Sequence, residues 1–121
     1  LATILHESGH HVTLYADKQH GLQLLGSLGY TFVSEYTEPT AGDTDYKRVK
    51  GTWNKDAVPL TSYNREYAKT KHTEHIADMM MIHLGGDDAK SRITLTGFAI
   101  PAPTQQVLQN KLGNARKVGG V

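Results

Sequence analysis

Two histidines and a glutamate stand close together near the start of this 121-residue sequence, in the order His6, Glu7, Ser8, Gly9, His10. On a helix, residues four apart lie on the same face one turn apart, so the imidazoles of His6 and His10 can converge on one ion. Glu7 can then lie beside that ion as a general base. The H-E-x-x-H spacing therefore indicates a catalytic metal site, and a solvated histidine cluster is the alternative.

A catalytic zinc usually takes three protein ligands and leaves the fourth position to water. The sequence contains no cysteine, so the ligands must be histidines or carboxylates. The short-spaced third histidine of the metzincins is absent, because His20 stands at a different offset. A glutamate from a later helix is the other common solution, and Glu74 is the best candidate.

Two residues near Glu74 have side chains that suit such a site. Asp78 follows Glu74 by one helical turn, where a carboxylate can accept the second ring N–H of a metal-bound histidine and fix its tautomer. Tyr67 precedes Glu74 by seven residues, and its hydroxyl could donate a hydrogen bond to a developing oxyanion. One short stretch thus offers a ligand, an orienting carboxylate and a stabiliser of negative charge.

Together the two stretches resemble the gluzincin metallopeptidases of the anthrax lethal factor-like family. In those enzymes an H-E-x-x-H helix is followed by a Tyr-small-basic-Thr run, a glutamate ligand, and then an alanine and an acid. The segment YAKTKHTEHIAD has these residue types in the same order. The resemblance covers about residues 1–16 and 60–84, and it implies a zincin-like catalytic domain.

The resemblance also implies the role of each residue in a zinc-dependent endopeptidase. The ligands of Zn²⁺ would be His6, His10 and Glu74. Glu7 would be the general base and Tyr67 the stabiliser of the transition state during hydrolysis of a polypeptide substrate.

This sequence departs from the family pattern at two positions. Asp78, the orienting residue, stands where glutamate is usual, and His75 stands where an aromatic residue is common. Tyr63 is an alternative for the tyrosine role, because the Ser-Tyr pair that it forms with Ser62 also resembles the family pattern. Its offset of eleven from Glu74 favours Tyr67.

Hydrophobic periodicity predicts a mainly helical α+β fold. The predicted helices cover residues 1–14, 18–29, 70–84 and 101–113, and the predicted strands cover residues 30–36 and 91–100. Gly29 suits a helix C-terminus, and Gly85 and Gly86 are expected to end the third helix. Residues 37–62 are rich in Thr, Gly, Asp and Pro, which predicts a long surface loop or insertion with at most one short hairpin.

The length favours one domain, which the resemblance identifies as the C-terminal portion of a zincin-like domain over residues 1–113, with a flexible tail at 114–121. Only five residues precede His6, so the sheet that precedes this helix in zincins is expected from a longer parent chain or a neighbouring subunit. Lysine and arginine number 13 against 12 acidic residues, which predicts neither nucleic acid nor a membrane surface as a partner. Without a signal segment or a long apolar run, we expect a soluble protein, and its compartment stays open.

Two other functions are compatible with parts of the sequence. The chain could be a non-catalytic zincin-like scaffold domain of a larger assembly. Alternatively, the segment GHHVTLYADKQHGLQLLGSLGYTFV resembles the second strand and following helix of nucleotide-sugar glycosyltransferases, in which Val12, Leu14 and Ala16 would form a buried strand. The conformation of residues 5–12, helical or extended, separates this alternative from the metallopeptidase.

Overall fold

A computed structural model of the protein describes residues 2–93 and 97–112. Helix α1, Ala2–His11, continues directly into a π-helical turn, Val12–Ala16. The predicted first helix is therefore present and runs two residues further than expected. Because Val12–Ala16 is helical, the strand on which the glycosyltransferase alternative depends is not formed.

Helix α2, Lys18–Leu28, has the ends that its sequence predicts. The carboxylate of Asp17 accepts a hydrogen bond from the backbone N–H of His20 at 3.1 Å and caps the first turn. Gly29 ends the helix with φ of 104°, a left-handed conformation that favours glycine. A Cβ atom at Gly29 would also lie 2.8 Å from the backbone oxygen of Ala57, so the chain passes too close for any side chain.

Strand β1, Thr31–Ser34, pairs with strand β2, Thr52–Asn54, as a small antiparallel sheet. The connection between the two strands contains helix α3, Thr44–Lys50. The prediction of one long loop over residues 37–62 is therefore wrong for the part that forms α3 and β2. Asp43 caps α3 by accepting a hydrogen bond from the backbone N–H of Tyr46 at 2.9 Å. Strand β2 is held by a long-range contact, because Trp53 stands opposite Phe32 with ring centroids 5.3 Å apart.

Helix α4, His72–Ile93, is longer than predicted because it continues through Gly85 and Gly86. Residues 91–93 of the predicted second strand belong to this helix, residues 94–96 lie outside the described part of the chain, and residues 97–100 form no strand. Helix α5, Ala102–Leu112, matches its prediction, whereas Gly113 and the predicted tail at 114–121 fall outside the described residues. Within residues 2–93 and 97–112, no helix has both the length and the apolar composition to cross a membrane.

The hydrophobic core lies between α2, α4 and α5. Its largest fully buried apolar side chains come from these helices and are Leu24, Leu25, Ile76, Met79, Met80, Met81 and Leu108. Helix α1 packs along the first half of α4, with Gly9 against the backbone of Ala77. The prediction of a mainly helical α+β fold is confirmed. This packing brings the first and third predicted helices side by side.

Candidate metal centre

The three predicted metal ligands come together where α1 crosses the first turn of α4. The Nε2 atom of His6 lies 2.8 Å from Oε2 of Glu74, and the Nε2 atom of His10 lies 3.1 Å from both oxygens of the same carboxylate. One ligand atom from each residue lies within 4.8 Å of the others. His6, His10 and Glu74 could therefore hold a metal ion.

The close approach of the two helices depends on Gly9, which lies between the two histidines on α1. A Cβ atom at this position would be 3.1 Å from both the Cα and the carbonyl oxygen of Ala77. Ala77 is three residues after Glu74, so the helix backbones touch directly beside the site. Because the backbones are in contact there, the side chains of His6 and Glu74 can reach each other.

His6 lies between two carboxylates and is 5% exposed. Its Nδ1 atom is 2.6 Å from Oδ1 of Asp78, and its Nε2 atom faces Glu74. A neutral imidazole has one N–H, so it can donate to only one of these carboxylates. Both are satisfied when His6 is protonated, or when Nδ1–H donates to Asp78 and a cation lies between Nε2 and Glu74. The donor set is therefore compatible with a protonated His6 and with a bound metal ion, and in the second case Asp78 would be the orienting residue.

The charges at the site shift several pKa values. The hydrogen bond to Asp78 raises the pKa of His6, with burial acting against it. Burial alone would raise the pKa of Glu74, but the interactions with His10, Tyr67 and His6 outweigh it and lower the pKa. Glu74 is thus held as a carboxylate, the form in which it can bind a metal ion.

Asp78 is fully buried and has a second partner that the sequence did not indicate. The guanidinium of Arg65 donates from Nε to Oδ2 at 2.7 Å and from Nη2 to Oδ1 at 2.8 Å. Burial acts to raise the pKa of Asp78, but the hydrogen bonds from His6 and Arg65 lower it overall. Arg65 stands thirteen residues before Asp78 and outside any helical pattern, so no local spacing could have revealed this pair.

Tyr67 and Glu7 lie on the exposed side of the cluster. Tyr67 is 47% exposed, and its ring centroid is 5.8 Å from that of His6. A hydrogen bond to Glu74 is the main cause that raises the pKa of the Tyr67 hydroxyl, and the negative charge of Glu7 adds to the rise. Glu7 is exposed on α1 next to His6. Tyr67 is therefore close to the predicted ligand His6, and both predicted catalytic residues are open to solvent.

Tyr63, the alternative tyrosine, lies in a different cluster that we call the tyrosine–histidine cluster: Tyr30, Tyr63 and His75. The Tyr63 side chain is buried, its ring stacks on His75 with centroids 4.3 Å apart, and its hydroxyl is 3.3 Å from that of Tyr30. The Tyr30 hydroxyl lies 2.8 Å from Nδ1 of His75, and Nε2 of His75 lies 2.8 Å from the carbonyl oxygen of Ser62. Of the two candidate tyrosines, Tyr67 is the one beside the predicted ligands.

Comparisons with protein-family models, with curated proteins and with solved structures find no match to the chain. A functional site is therefore indicated by chemistry and geometry alone. His6, His10 and Glu74 converge, and Asp78 and Tyr67 lie around them.

Proposed function

We propose that the protein is a zinc-dependent endopeptidase that hydrolyses peptide bonds with a water molecule at the His6, His10 and Glu74 site. The observation that carries the proposal is the convergence of two independent sequence features. The H-E-x-x-H stretch and Glu74 are more than sixty residues apart, yet their donor atoms lie within 4.8 Å. A solvated histidine cluster on α1 does not by itself predict that both histidines face one carboxylate from α4.

The choice of zinc rests on the donor set and on the resemblance to the gluzincin family. Two imidazoles and one glutamate carboxylate are the protein ligands of one class of catalytic zinc site, which leaves a fourth position for water. When bound, zinc supplies a Lewis acid that lowers the pKa of such a water toward about 7. His6 would be held by Asp78 in the tautomer that directs its Nε2 lone pair to the metal.

The side chains around the ligands would then handle the protons and the developing charge. Glu7 accepts a proton from the water as the water oxygen attacks the carbonyl carbon of the scissile peptide. The hydroxyl of Tyr67 donates a hydrogen bond to the oxyanion that forms. When the C–N bond breaks, Glu7 donates the proton to the leaving amine nitrogen.

The proposal implies a polypeptide substrate, which zincins hold in extended form along a sheet edge. The described part of this chain contains one sheet, which has only the two short strands β1 and β2. We therefore propose that a longer parent chain or a neighbouring subunit contributes the sheet that binds the substrate.

The test combines metal analysis with peptide cleavage. The purified chain is expected to bind one zinc per molecule. Prepared together with the parent segment or subunit that contributes the sheet, it is expected to cleave members of a mixed peptide library, as detected by mass spectrometry, with activity lost on chelation and restored by zinc. Glu7→Gln should keep the zinc and lower cleavage by at least about 1,000-fold, because it removes the proton acceptor. The matched control is Glu35→Gln, which changes an exposed glutamate in the loop that follows β1.

Two results would count against the proposal. Full zinc-dependent cleavage by Glu7→Gln would remove Glu7 from the mechanism. A folded chain that takes up no zinc would instead favour the scaffold domain.

A further inference from the structure

Arg65 occupies a position that links two residues of the candidate metal centre. It has an extended backbone and immediately precedes a short 3₁₀ turn, Glu66–Lys69, which contains Tyr67. Its side chain is 28% exposed, so it is partly covered by its partners. The residues that it contacts are Asp78 on one side and Tyr67 on the other.

The contact with Asp78 is a two-point contact. Two guanidinium nitrogens of Arg65 donate to the two carboxylate oxygens, at 2.7 and 2.8 Å. A planar fork that binds both oxygens fixes the plane of the carboxylate as well as its position. One of these oxygens, Oδ1, is also the atom that lies 2.6 Å from Nδ1 of His6. The position of the Arg65 guanidinium therefore affects the orientation of the His6 ring through Asp78.

The contact with Tyr67 is a cation–π contact. The guanidinium carbon of Arg65 lies 4.9 Å from the centre of the Tyr67 ring. Nearly half of Tyr67 is exposed, so few groups besides Arg65 and His6 restrict its ring. Arg65 thus covers one face of the Tyr67 ring, which lies beside the ring of His6.

We propose that Arg65 is a positioning residue of the metal centre, which holds Asp78 against His6 and the ring of Tyr67 beside it. The inference rests on the proposed function, because it takes His6 as a ligand. It differs from a purely structural role in one respect: the loss of Arg65 should weaken metal binding through Asp78, beyond any effect on folding.

The decisive variant is Arg65→Lys, which keeps the positive charge but cannot form the two-point contact. Partners of metal-bound histidines typically change metal affinity by about 10- to 100-fold when they are lost. We expect Arg65→Lys to lower zinc affinity by about 10-fold, measured by competition with a chromophoric chelator, while the metal-free chain keeps its fold by circular dichroism. The matched control is Arg48→Lys. Arg48 lies on α3, and its guanidinium is 5.5 Å from the centre of the Phe32 ring on β1, so it makes a cation–π contact outside the metal centre.

A double-mutant cycle with Asp78→Asn shows whether the effect passes through Asp78. Residues that act as one unit have non-additive effects, whereas independent residues have additive ones. Arg65→Lys should therefore lower zinc affinity about 10-fold in the native chain and less than twofold in the Asp78→Asn chain. A full 10-fold loss in both backgrounds would overturn the proposal.

Asp78 is fully buried, so its substitution could prevent folding. In that case the His6 ring is followed directly by ¹H–¹⁵N NMR of the zinc-bound native and Arg65→Lys chains. The Nδ1–H signal of His6 should be visible and slowly exchanging in the native chain, and weakened or shifted in the variant. An identical signal in both chains would overturn the proposal.

The failure of this inference is distinguishable from failure of the proposed function. If the native chain binds no zinc, the metal site itself is wrong. If the native chain binds zinc and Arg65→Lys binds it equally well, only the role of Arg65 is wrong.

Discussion

Two buried histidines on the two sides of the α1–α4 contact have opposite kinds of partners. His6 lies between the carboxylates of Glu74 and Asp78, whereas His75 lies between the hydroxyl of Tyr30 and the backbone carbonyl of Ser62. The partners of His75 are uncharged, and a neutral ring with its proton on Nε2 satisfies both. The partners of His6 are both negative, and a neutral ring satisfies only one of them.

The pKa values follow this difference. The hydrogen bond to Asp78 raises the pKa of His6, while burial lowers the pKa of His75 to about 4. His75 therefore has every feature of a residue that stabilises the fold as a neutral group. His6 has the features of a residue that is stabilised by positive charge, which either its own protonation or a metal ion between Nε2 and Glu74 can supply.

The largest effect is expected from removing the carboxylate that the two site histidines share. Glu74→Ala takes away one of three ligands, so zinc affinity should fall by at least about 1,000-fold, or about 4 kcal/mol. The measurement is a competition titration with a chelator of known zinc affinity. Glu66→Ala is the control, because Glu66 is an exposed glutamate whose partner is Lys69. Native-like affinity in Glu74→Ala would remove Glu74 from the ligand set.

The converse change, His75→Ala, should affect folding and spare the metal. It removes the hydrogen bond to the Ser62 carbonyl and the shorter of two contacts of the Tyr30 hydroxyl, and it opens a cavity under Tyr63. We expect the free energy of unfolding to fall by about 3 kcal/mol in a urea titration. The control is His11→Ala, at an exposed position on α1. Zinc affinity of the folded variant should stay within threefold of native, and a larger loss would mean that the two histidines are not separate in function.

The tyrosine–histidine cluster should also respond to pH in a direction that can be worked out. The pKa of His75 is about 4 in the folded chain and near its ordinary 6.5 in the unfolded chain. Between these values the unfolded chain binds the proton more readily, so the stabilisation by neutral His75 is complete above pH 6.5 and is lost as the pH falls toward 4. Over this range the loss approaches about 3 kcal/mol.

This pH effect is measured as a difference between two proteins, which removes the contribution of other groups. The difference in free energy of unfolding between the native chain and His75→Ala should shrink as the pH falls from 7 to 4.5, in the absence of metal. A constant difference would show that His75 has the same pKa in the folded and unfolded chains. The His11→Ala chain should show no such trend relative to native.

The grouping of His6, His10 and Glu74 was predictable in part, because the spacing within each half of the cluster is local. His6 and His10 are one helical turn apart, and so are Glu74 and Asp78, so each pair was predictable from helix geometry. What joins the two pairs is the packing of α1 on α4, which no local pattern contains. The choice between Tyr63 and Tyr67 also needed the structure. One 3₁₀ turn ends just before Tyr63 and a second contains Tyr67, so the directions of the two side chains do not follow from helical spacing.

The errors in the fold have similar causes. Helix α3 is short and follows a stretch rich in turn-forming residues, so the cap at Asp43 was not recognised. Helix α4 continues through Gly85 and Gly86 because two glycines cost only about 1 kcal/mol each relative to alanine, which a well-buried helix can offset. Arg65 was missed because its partner Asp78 lies thirteen residues away across a turn.

The smallest effect is expected from a substitution at Gly9, where the backbone of α1 meets that of α4 at Ala77. Gly9→Ala would put a methyl group 3.1 Å from two backbone atoms of Ala77, so α1 must move away from α4 by a few tenths of an ångström. We expect the free energy of unfolding to fall by about 1 kcal/mol, because this crowding outweighs the gain in helix propensity. Zinc affinity should fall by about threefold to tenfold, because His6 and His10 move with α1 and Glu74 does not.

Gly26→Ala is a matched control for this substitution. Gly26 is also a helical glycine, in α2, and an added Cβ atom there meets nothing within 4 Å. This variant should be as stable as the native chain or more stable by up to about 1 kcal/mol, with unchanged zinc affinity. In Gly9→Ala the NMR signals of the His75 ring should keep their native positions while those of His6 shift. If both rings shift together, the two environments are coupled through α4, and the separation between a fold-stabilising histidine and a metal-binding one does not hold.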